Sequence, residues 1–252
     1  GVDFIIHSAA MKQVPACEYN PIEAIRTNID GAINVIEAAL NLNIPKIKAL
    51  SSDKAVHPVN LYGATKLCAE KLFIQANSYT GPARNTCFSV VRYGNVLASR
   101  GSVVPLFKSQ ITKGEQLTLT DEKMTRFWIT LQEAVNFVIS CFDIMKGGEV
   151  FVPKIPSMKM IDLIRAFEYD KGFKIIGIRA GEKIDEHLIT KEEGIRTYDM
   201  KDRYIIEPEF NWIRRKKPLW REKVIGEFSY DSKNNTEWIT IDKMKKTIKH
   251  LA

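Results

Sequence analysis

No apolar run in the 252-residue sequence approaches the roughly 18–20 residues needed to cross a bilayer, and no basic segment with a small-residue cleavage site opens it. A membrane partner is therefore not expected, and a cytoplasmic protein is. The four cysteines, Cys17, Cys68, Cys87 and Cys141, form no Cys-x-x-Cys pair. That spacing argues against zinc, iron–sulfur and a disulfide framework, so free buried thiols and no metal site are expected. Clustered glycine is missing as well: Gly31, Gly63 and Gly94 stand alone, and Gly147-Gly148 follows a helical pattern instead of preceding one. Low-complexity bias is absent, with apolar residues at 45%, charged residues at 27%, 14 Gly and 10 Pro, which excludes disordered and fibrous classes. The length is ample for one large core or two small domains.

The net charge of +7 is unevenly spread. Residues 201–252 hold 13 Lys and Arg against 8 Asp and Glu, whereas the first 200 hold 24 against 22. The excess sits in Arg214-Arg215-Lys216-Lys217 and Lys243–Lys249, with no interleaved aromatic platform, so a solvated basic tail is expected and nucleic acid is not.

Patterning gives an α/β order. Val2–Ile6 reads as a strand, and Asn20-Pro21-Ile22-Glu23 reads as a helix start with cap, first-turn proline and acidic N3. Ile22, Ile25, Ile29, Ile33, Ile36 and Leu40 form one stripe of that helix. Strands are expected at 46–50 and 87–91 around a helix at 61–79, the rhythm of a parallel sheet with crossover helices. Beyond Gly101, helices are expected at 104–112, 131–145, 160–167 and 241–251, with short strands at 117–119, 127–129, 149–152 and 174–178. Residues 1–100, with 126–152 returning, make the expected sheet domain; 101–125 and 153–252 make a smaller lobe and tail.

One constellation carries chemistry. Ser51-Ser52-Asp53-Lys54 ends a strand, where open α/β sheets present side chains to ligands, and Tyr62-Gly63-Ala64-Thr65-Lys66 opens the next helix. Tyr62 and Lys66, four apart, share a helix face. An ammonium near a phenol lowers its pKa from about 10 towards neutrality, which suits a general base.

Together with His7-Ser8-Ala9-Ala10 and Asn28, these residues resemble the extended short-chain dehydrogenase/reductase family over nearly the whole chain. Within it the chain is similar to the soluble inverting UDP-N-acetylglucosamine 4,6-dehydratases of the pseudaminic acid type. The phrases that carry the likeness are Ser8–Pro15, Ser52-Asp53-Lys54-Ala55-Val56, Leu61–Lys66, Val91-Arg92-Tyr93-Gly94-Asn95-Val96, Met124-Thr125-Arg126-Phe127 and Gly181-Glu182-Lys183. Lys54 after Asp53 marks the inverting group, because retaining dehydratases carry Asp-Glu there and 4-epimerases lack the acidic pair. Ser52 replaces the usual threonine and keeps its hydroxyl.

The resemblance implies a Rossmann-like doubly wound parallel sheet lacking its first strands, with a smaller α/β substrate lobe. It implies NADP, or NAD, as cofactor, lying along Ala9, Ala10, Lys12 and Ser51 and held by Tyr62 and Lys66. Tyr62 takes the C4 hydroxyl proton; Lys54 is the C5 base and Asp53 the acid for the C6 hydroxyl. The product is UDP-2-acetamido-2,6-dideoxy-L-arabino-hex-4-ulose. Ser52, Asn95, Arg126, Arg179 and Glu182 are the implied substrate contacts, the arginines at the diphosphate and Glu182 at the uridine ribose. Plainer readings stand beside these: His7 as a packed strand-end residue, Arg126 paired with a carboxylate, Arg179 and Glu182 as a surface ion pair, and Lys12 in solvent. The family's Gly-x-x-Gly-x-x-Gly loop has no counterpart here, so the likeness places Gly1 before the fourth strand. Weak NADP binding and an open apolar edge at Val2–Ile6 are expected, with homo-oligomers when the chain is full length. The competing assignments are a retaining dehydratase or 4-epimerase, and a truncated sugar-nucleotide-binding protein without catalysis.

Overall fold

Runs such as Lys46–Leu50 and Cys87–Val91 combine branched apolar residues with short length, and each is followed or preceded by a long helical pattern. The computed structural model, which describes residues 1–80, 85–210, 220 and 227–250, shows the alternation these patterns imply. The Arg214–Lys217 cluster lies outside the described residues. In the first half, Phe4–His7 (β1), Val14–Tyr19 (α1), Pro21–Ile25 (α2), Gly31–Asn41 (α3), Lys46–Leu50 (β2), Leu61–Gln75 (α4) and Cys87–Val91 (β3) follow one another. Next come Asn95–Val96 (β4), Val103–Thr112 (α5), Leu117–Leu119 (β5), Thr125–Ile129 (β6), Leu131–Ile144 (α6) and Val150–Pro153 (β7). Last are Ser157–Lys159 (β8), Met160–Ala166 (α7), Phe173–Ile175 (β9), His187–Ile189 (β10), Lys191–Gly194 (α8), Thr197–Asp199 (β11), Arg203–Ile206 (β12), Tyr230–Asp231 (β13) and Ile241–His250 (α9).

The chain divides into two units: Gly1–Tyr93 with Val135–Lys154 and His187–Ser229, and Gly94–Ala134 with Ile155–Glu186 and Tyr230–Ala252. The first unit holds a six-stranded sheet in the order β1-β2-β3-β7-β12-β11. Strands β1, β2, β3 and β7 are parallel, and β12 and β11 add an antiparallel flank. This is the Rossmann-like sheet expected. Its central strands β3 and β7 are buried almost throughout, as strands covered on both faces must be. β1 stands at one edge, and Phe4 and Ile6 are exposed on it.

Three boundaries differ from those expected. β11 and β12 join the large sheet, although 153–252 was assigned to the lobe, because β12 offers β7 a four-residue antiparallel ladder from Arg203 opposite Pro153 to Ile206 opposite Val150. β6 does not return to that sheet but pairs with β4 and β8 in the second unit, and residues 94–100 go with it. The helix expected from Asn20 to residue 42 is interrupted by a π turn at Arg26–Asp30. A straight helix of about 3.6 residues per turn carries a strict four-residue repeat off its face; the wider turn keeps Ala24, Asn28, Ala32, Ile36 and Leu40 inward. Ile22 and Ile25 of the expected stripe are therefore exposed, and Ile29 and Ile33 half-buried.

The second unit packs Val104, Phe107, Leu117, Leu119, Trp128, Met158 and Leu163 against Met244 and Ile248 of α9. Its sheets are β4-β6-β8 and β5-β9. Among the described residues, no helix is long and apolar enough to cross a membrane.

Candidate active site

Where β2 and β3 end, their backbones stay zipped beyond the sheet. Ser51 N–H donates to Val91 O at 2.7 Å and Asp53 N–H to Tyr93 O at 3.3 Å. Ser52 then turns extended and caps a single 3₁₀ turn, Asp53–Ala55, its Oγ accepting the Lys54 N–H at 3.2 Å. The same hydroxyl donates to Asp53 Oδ1 at 2.6 Å. Lys54 Nζ lies 3.0 Å from both Asp53 carboxylate oxygens. Asp53 is 1% exposed and Lys54 26%, so the pair presents its lysine to solvent and its carboxylate to the interior.

α4 meets this turn at Gly63, the one position of its first turn without a side chain. Asn60 Oδ1 caps it by accepting the Gly63 N–H at 2.7 Å. A Cβ on Gly63 would stand 2.2 Å from the Lys54 carbonyl oxygen, so only glycine permits this approach. Tyr62 and Lys66 then fall on the inner face, both buried. Ser52 stands close enough to Tyr62 for its hydroxyl to favour the phenolate. The structure thus gathers Ser51, Ser52, Asp53, Lys54, Tyr62 and Lys66 in one unit, as the sequence pattern implies.

One expectation fails. Tyr62 was expected to have a depressed pKa under Lys66, but burial pushes the phenol up, and Lys54 and the Ser52 hydroxyl only partly oppose it. Lys66 itself is pushed down to about 8 by burial, with Glu70 opposing. Its Nζ donates to Leu50 O at 2.5 Å.

The loop after β1 is held from below. Asn28, in the π turn, accepts the Met11 N–H at 2.8 Å and donates to Met11 O at 3.0 Å and Thr65 Oγ1 at 2.9 Å. Thr65 Oγ1 in turn donates to Tyr62 O at 2.9 Å. Asn28 thereby joins the Ala9–Lys12 loop to the Tyr62 helix, a task the sequence pattern did not assign it. π turns recur at such functional positions. Ala9 and Lys12 are exposed and Ala10 half-buried. The Ser51 hydroxyl is buried without a hydrogen-bond partner. His7 takes its plainer reading: it packs on Phe73 at 5.3 Å, and burial, then Lys66, lowers its pKa.

In the second unit, Arg126 donates Nη1 to Thr125 O at 2.7 Å and Ile184 O at 2.9 Å, and Nη2 to Lys183 O at 2.8 Å, with Nε 3.8 Å from Glu186. Arg126 therefore pins the 183–184 backbone. Arg179 and Glu182 form the surface ion pair of the alternative reading at 3.7 Å, with Arg179 52% exposed. The second Glu182 oxygen is buried and has no hydrogen-bond partner. Asn95 opens β4, opposite Trp128.

A cavity of about 570 Å³ in the first unit is lined by Ile29, Ile33, Leu72, Ile206 and Phe210 and touches none of Asp53, Lys54, Tyr62 and Lys66. Cavity size alone does not locate this chemistry. No cluster of three metal-ligand side chains occurs among the described residues. All four cysteines are free; Cys17 and Cys141 are buried as expected, whereas Cys87 is half-buried and Cys68 exposed.

The profile of the family described as polysaccharide biosynthesis protein matches residues 1–208. The chain belongs to this family. It is 49% identical over 99% of its length to a Campylobacter jejuni relative named UDP-N-acetylglucosamine 4,6-dehydratase (inverting), covering 77% of that protein. A Rickettsia massiliae relative named UDP-glucose 4-epimerase is 39% identical over 98% of the chain and 74% of its own. The solved structure of Pen from Bacillus thuringiensis superposes with a TM-score of 0.86 at 38% identity, over 98% of this chain and 75% of that one. The motif resemblance to inverting dehydratases and the Rossmann-like fold therefore stand, and the family description places the chain among polysaccharide biosynthesis proteins.

Proposed function

We propose that the protein is a C5-inverting UDP-N-acetylglucosamine 4,6-dehydratase. The observation that carries this reading is the Asp53–Lys54 ion pair, with Nζ 3.0 Å from both carboxylate oxygens, beside Tyr62 and joined by the Ser52 hydroxyl. Moving a proton from Nζ to the carboxylate turns the ion pair into a neutral amine and a carboxylic acid, the two species an elimination needs on a sugar. Lys54 then removes the C5 proton and Asp53 delivers one to the departing C6 hydroxyl, which leaves as water; once hydride has returned to C6, a proton added to C5 from the opposite face gives the inverted product. Tyr62, deprotonated, accepts the C4 hydroxyl proton. Because burial disfavours that phenolate, Lys54, cationic as long as the pair is ionised, and the Ser52 hydroxyl ease its formation before the proton passes to Asp53.

The residues present fit a nicotinamide dinucleotide: a buried, unpartnered Ser51 hydroxyl, a buried Lys66 ammonium and the Asn28-braced Ala9–Lys12 loop stand at one strand end. Such a cofactor, NADP in our reading, supplies hydride acceptance at C4 and return at C6. Lys66 and Tyr62 hold its ribose, and Ala9, Ala10, Lys12 and Ser51 line it. For the UDP moiety, Arg179 and Asn95 bind the diphosphate and Glu182 the ribose through its unpartnered oxygen, with Arg126 fixing the loop that carries Glu182. Four free cysteines fit a cytoplasmic setting. The exposed Ile22 and Ile25 beside Ile29 and Ile33 support assembly into homo-oligomers. Incubation with UDP-N-acetylglucosamine and NADP, read by mass spectrometry and NMR, tests the assignment. A product one water lighter with inverted C5 supports it; a retained C5 or an isobaric epimer rejects it.

A further inference from the structure

At the end of β3, Arg92 is buried with its guanidinium shared between two carboxylates. Nε and Nη2 donate to Glu70 at 2.9 and 2.5 Å, and Nη1 and Nη2 to Glu193 at 2.8 and 2.7 Å. Nη1 also reaches Leu188 O at 3.1 Å. Arg196 Nη2 also lies 4.0 Å from Glu193, so two arginines pair with the two carboxylates and hold them in place. Glu70 lies one helical turn beyond Lys66 on the same face of α4, which places its carboxylate to act on the Lys66 ammonium. Arg92 sits between Val91 and Tyr93, whose carbonyls accept Ser51 and Asp53. The cluster is thus tied both to the helix that carries Tyr62 and Lys66 and to the strand end that carries the Asp53–Lys54 pair.

We propose that Glu70, clamped by Arg92 and Glu193, is a positioning residue that keeps Lys66 protonated at the working pH. The proposal rests on the assignment of Lys66 to the dehydratase site. Burial alone drives Lys66 towards the neutral amine, and Glu70 opposes it. His7 of β1 is the other titratable group coupled to Lys66, and burial holds it neutral. Asp53 and Lys54 act on Tyr62. On the other elements packed against α4, Glu18, Glu23, Arg26, Asp30 and Glu37 are exposed, the buried Cys17 of α1 is held as its neutral thiol by burial, and Cys87 lies at the opposite end of the sheet from Leu50. Glu70 is therefore the carboxylate that sets this lysine, and Arg92 with Glu193 fixes where it stands.

The test follows the Lys66 side chain directly, by NMR titration of protein labelled at lysine Cε, with Lys66→Arg to assign the resonance. Glu70→Gln is expected to lower the Lys66 midpoint by about one unit, and to move the alkaline fall of kcat/KM to lower pH by the same amount. Glu193→Gln, which also disturbs Arg92, is expected to shift it by less. An unmoved midpoint in Glu70→Gln, or an equal shift in Glu193→Gln, overturns the proposal. If Glu70→Gln does not fold, Glu70→Asp carries the test: a retracted carboxylate gives a smaller downward shift, and no shift overturns the idea. Since the midpoint is read without turnover, a shifted Lys66 in a protein that forms no dehydrated sugar rejects the dehydratase reading and leaves the clamp standing.

Discussion

Two buried lysines of the first unit invite comparison. Lys48, in the middle of β2, and Lys66, on α4, are both pushed down to about 8 by burial. Lys48 Nζ donates to Ser89 Oγ at 2.7 Å and Cys141 O at 3.2 Å and lies over the rings of Phe151 and Phe142, at 4.3 and 5.1 Å. Lys66 Nζ reaches Leu50 O, beside Tyr62 and a carboxylate clamped by arginine. A perturbed pKa is common to both, so it does not mark the site by itself. The neighbours do: aromatic faces and carbonyls around one, a phenol and proton-carrying groups around the other.

The largest expected effect separates them by activity. Lys66→Met should cut kcat by about 10²–10⁴, the usual range for loss of acid–base support, while Lys48→Met should leave it within about twofold, since Lys48 touches no group in the proposed chemistry. Steady-state assays of both variants check this, and equal losses would break the comparison. Next comes Gly63→Ala. A methyl placed 2.2 Å from Lys54 O must push the 53–55 turn off α4, at a cost of about 1–3 kcal/mol for overpacking, seen in urea denaturation together with a loss of turnover.

The smallest effect concerns Lys48 and stability. A folded pKa near 8 against 10.5 for the ordinary lysine means the unfolded chain holds this proton more tightly, so burial costs about 3 kcal/mol at neutral pH. Its hydrogen bonds return about 1–2 kcal/mol, so Lys48→Met should be more stable at pH 7 by about 1–2 kcal/mol. The stability linked to Lys48 is present above pH 10.5 and lost as pH falls through 8. The variant's advantage should therefore shrink between pH 8 and 10.5, and urea midpoints across that range would show it. A constant advantage would mean the Lys48 cost is not electrostatic.

Much of the first unit was legible because its signals are local. β2, β3 and α4 begin where the branched runs and the helical pattern from Leu61 put them, and the strand-end cluster followed by a Tyr-Lys helix pointed to the group proposed here as catalytic. The antiparallel flank was not legible. β11 and β12 are three and four residues long, too short for a period, and their place depends on β7, about 50 residues earlier in the chain. The π turn escaped for a different reason: six apolar residues at helical spacing mimic a core stripe, and only packing shows that Ala24, Asn28 and Ala32 face inward instead. Glu70 and Arg92 looked like ordinary charges until burial brought them together.

By itself the sequence determined the element types, the parallel sheet and the residues able to carry proton transfer, since these follow from side-chain chemistry at fixed spacing. Tertiary structure alone decided how those residues titrate and what braces them. Tyr62 is raised where the local pairing with Lys66 implied a fall, Asn28 ties two loops, and Arg92 holds Glu70 one turn from Lys66. Burial and long-range partners set the energy of a charge, and neither is written in the spacing of residues along the chain.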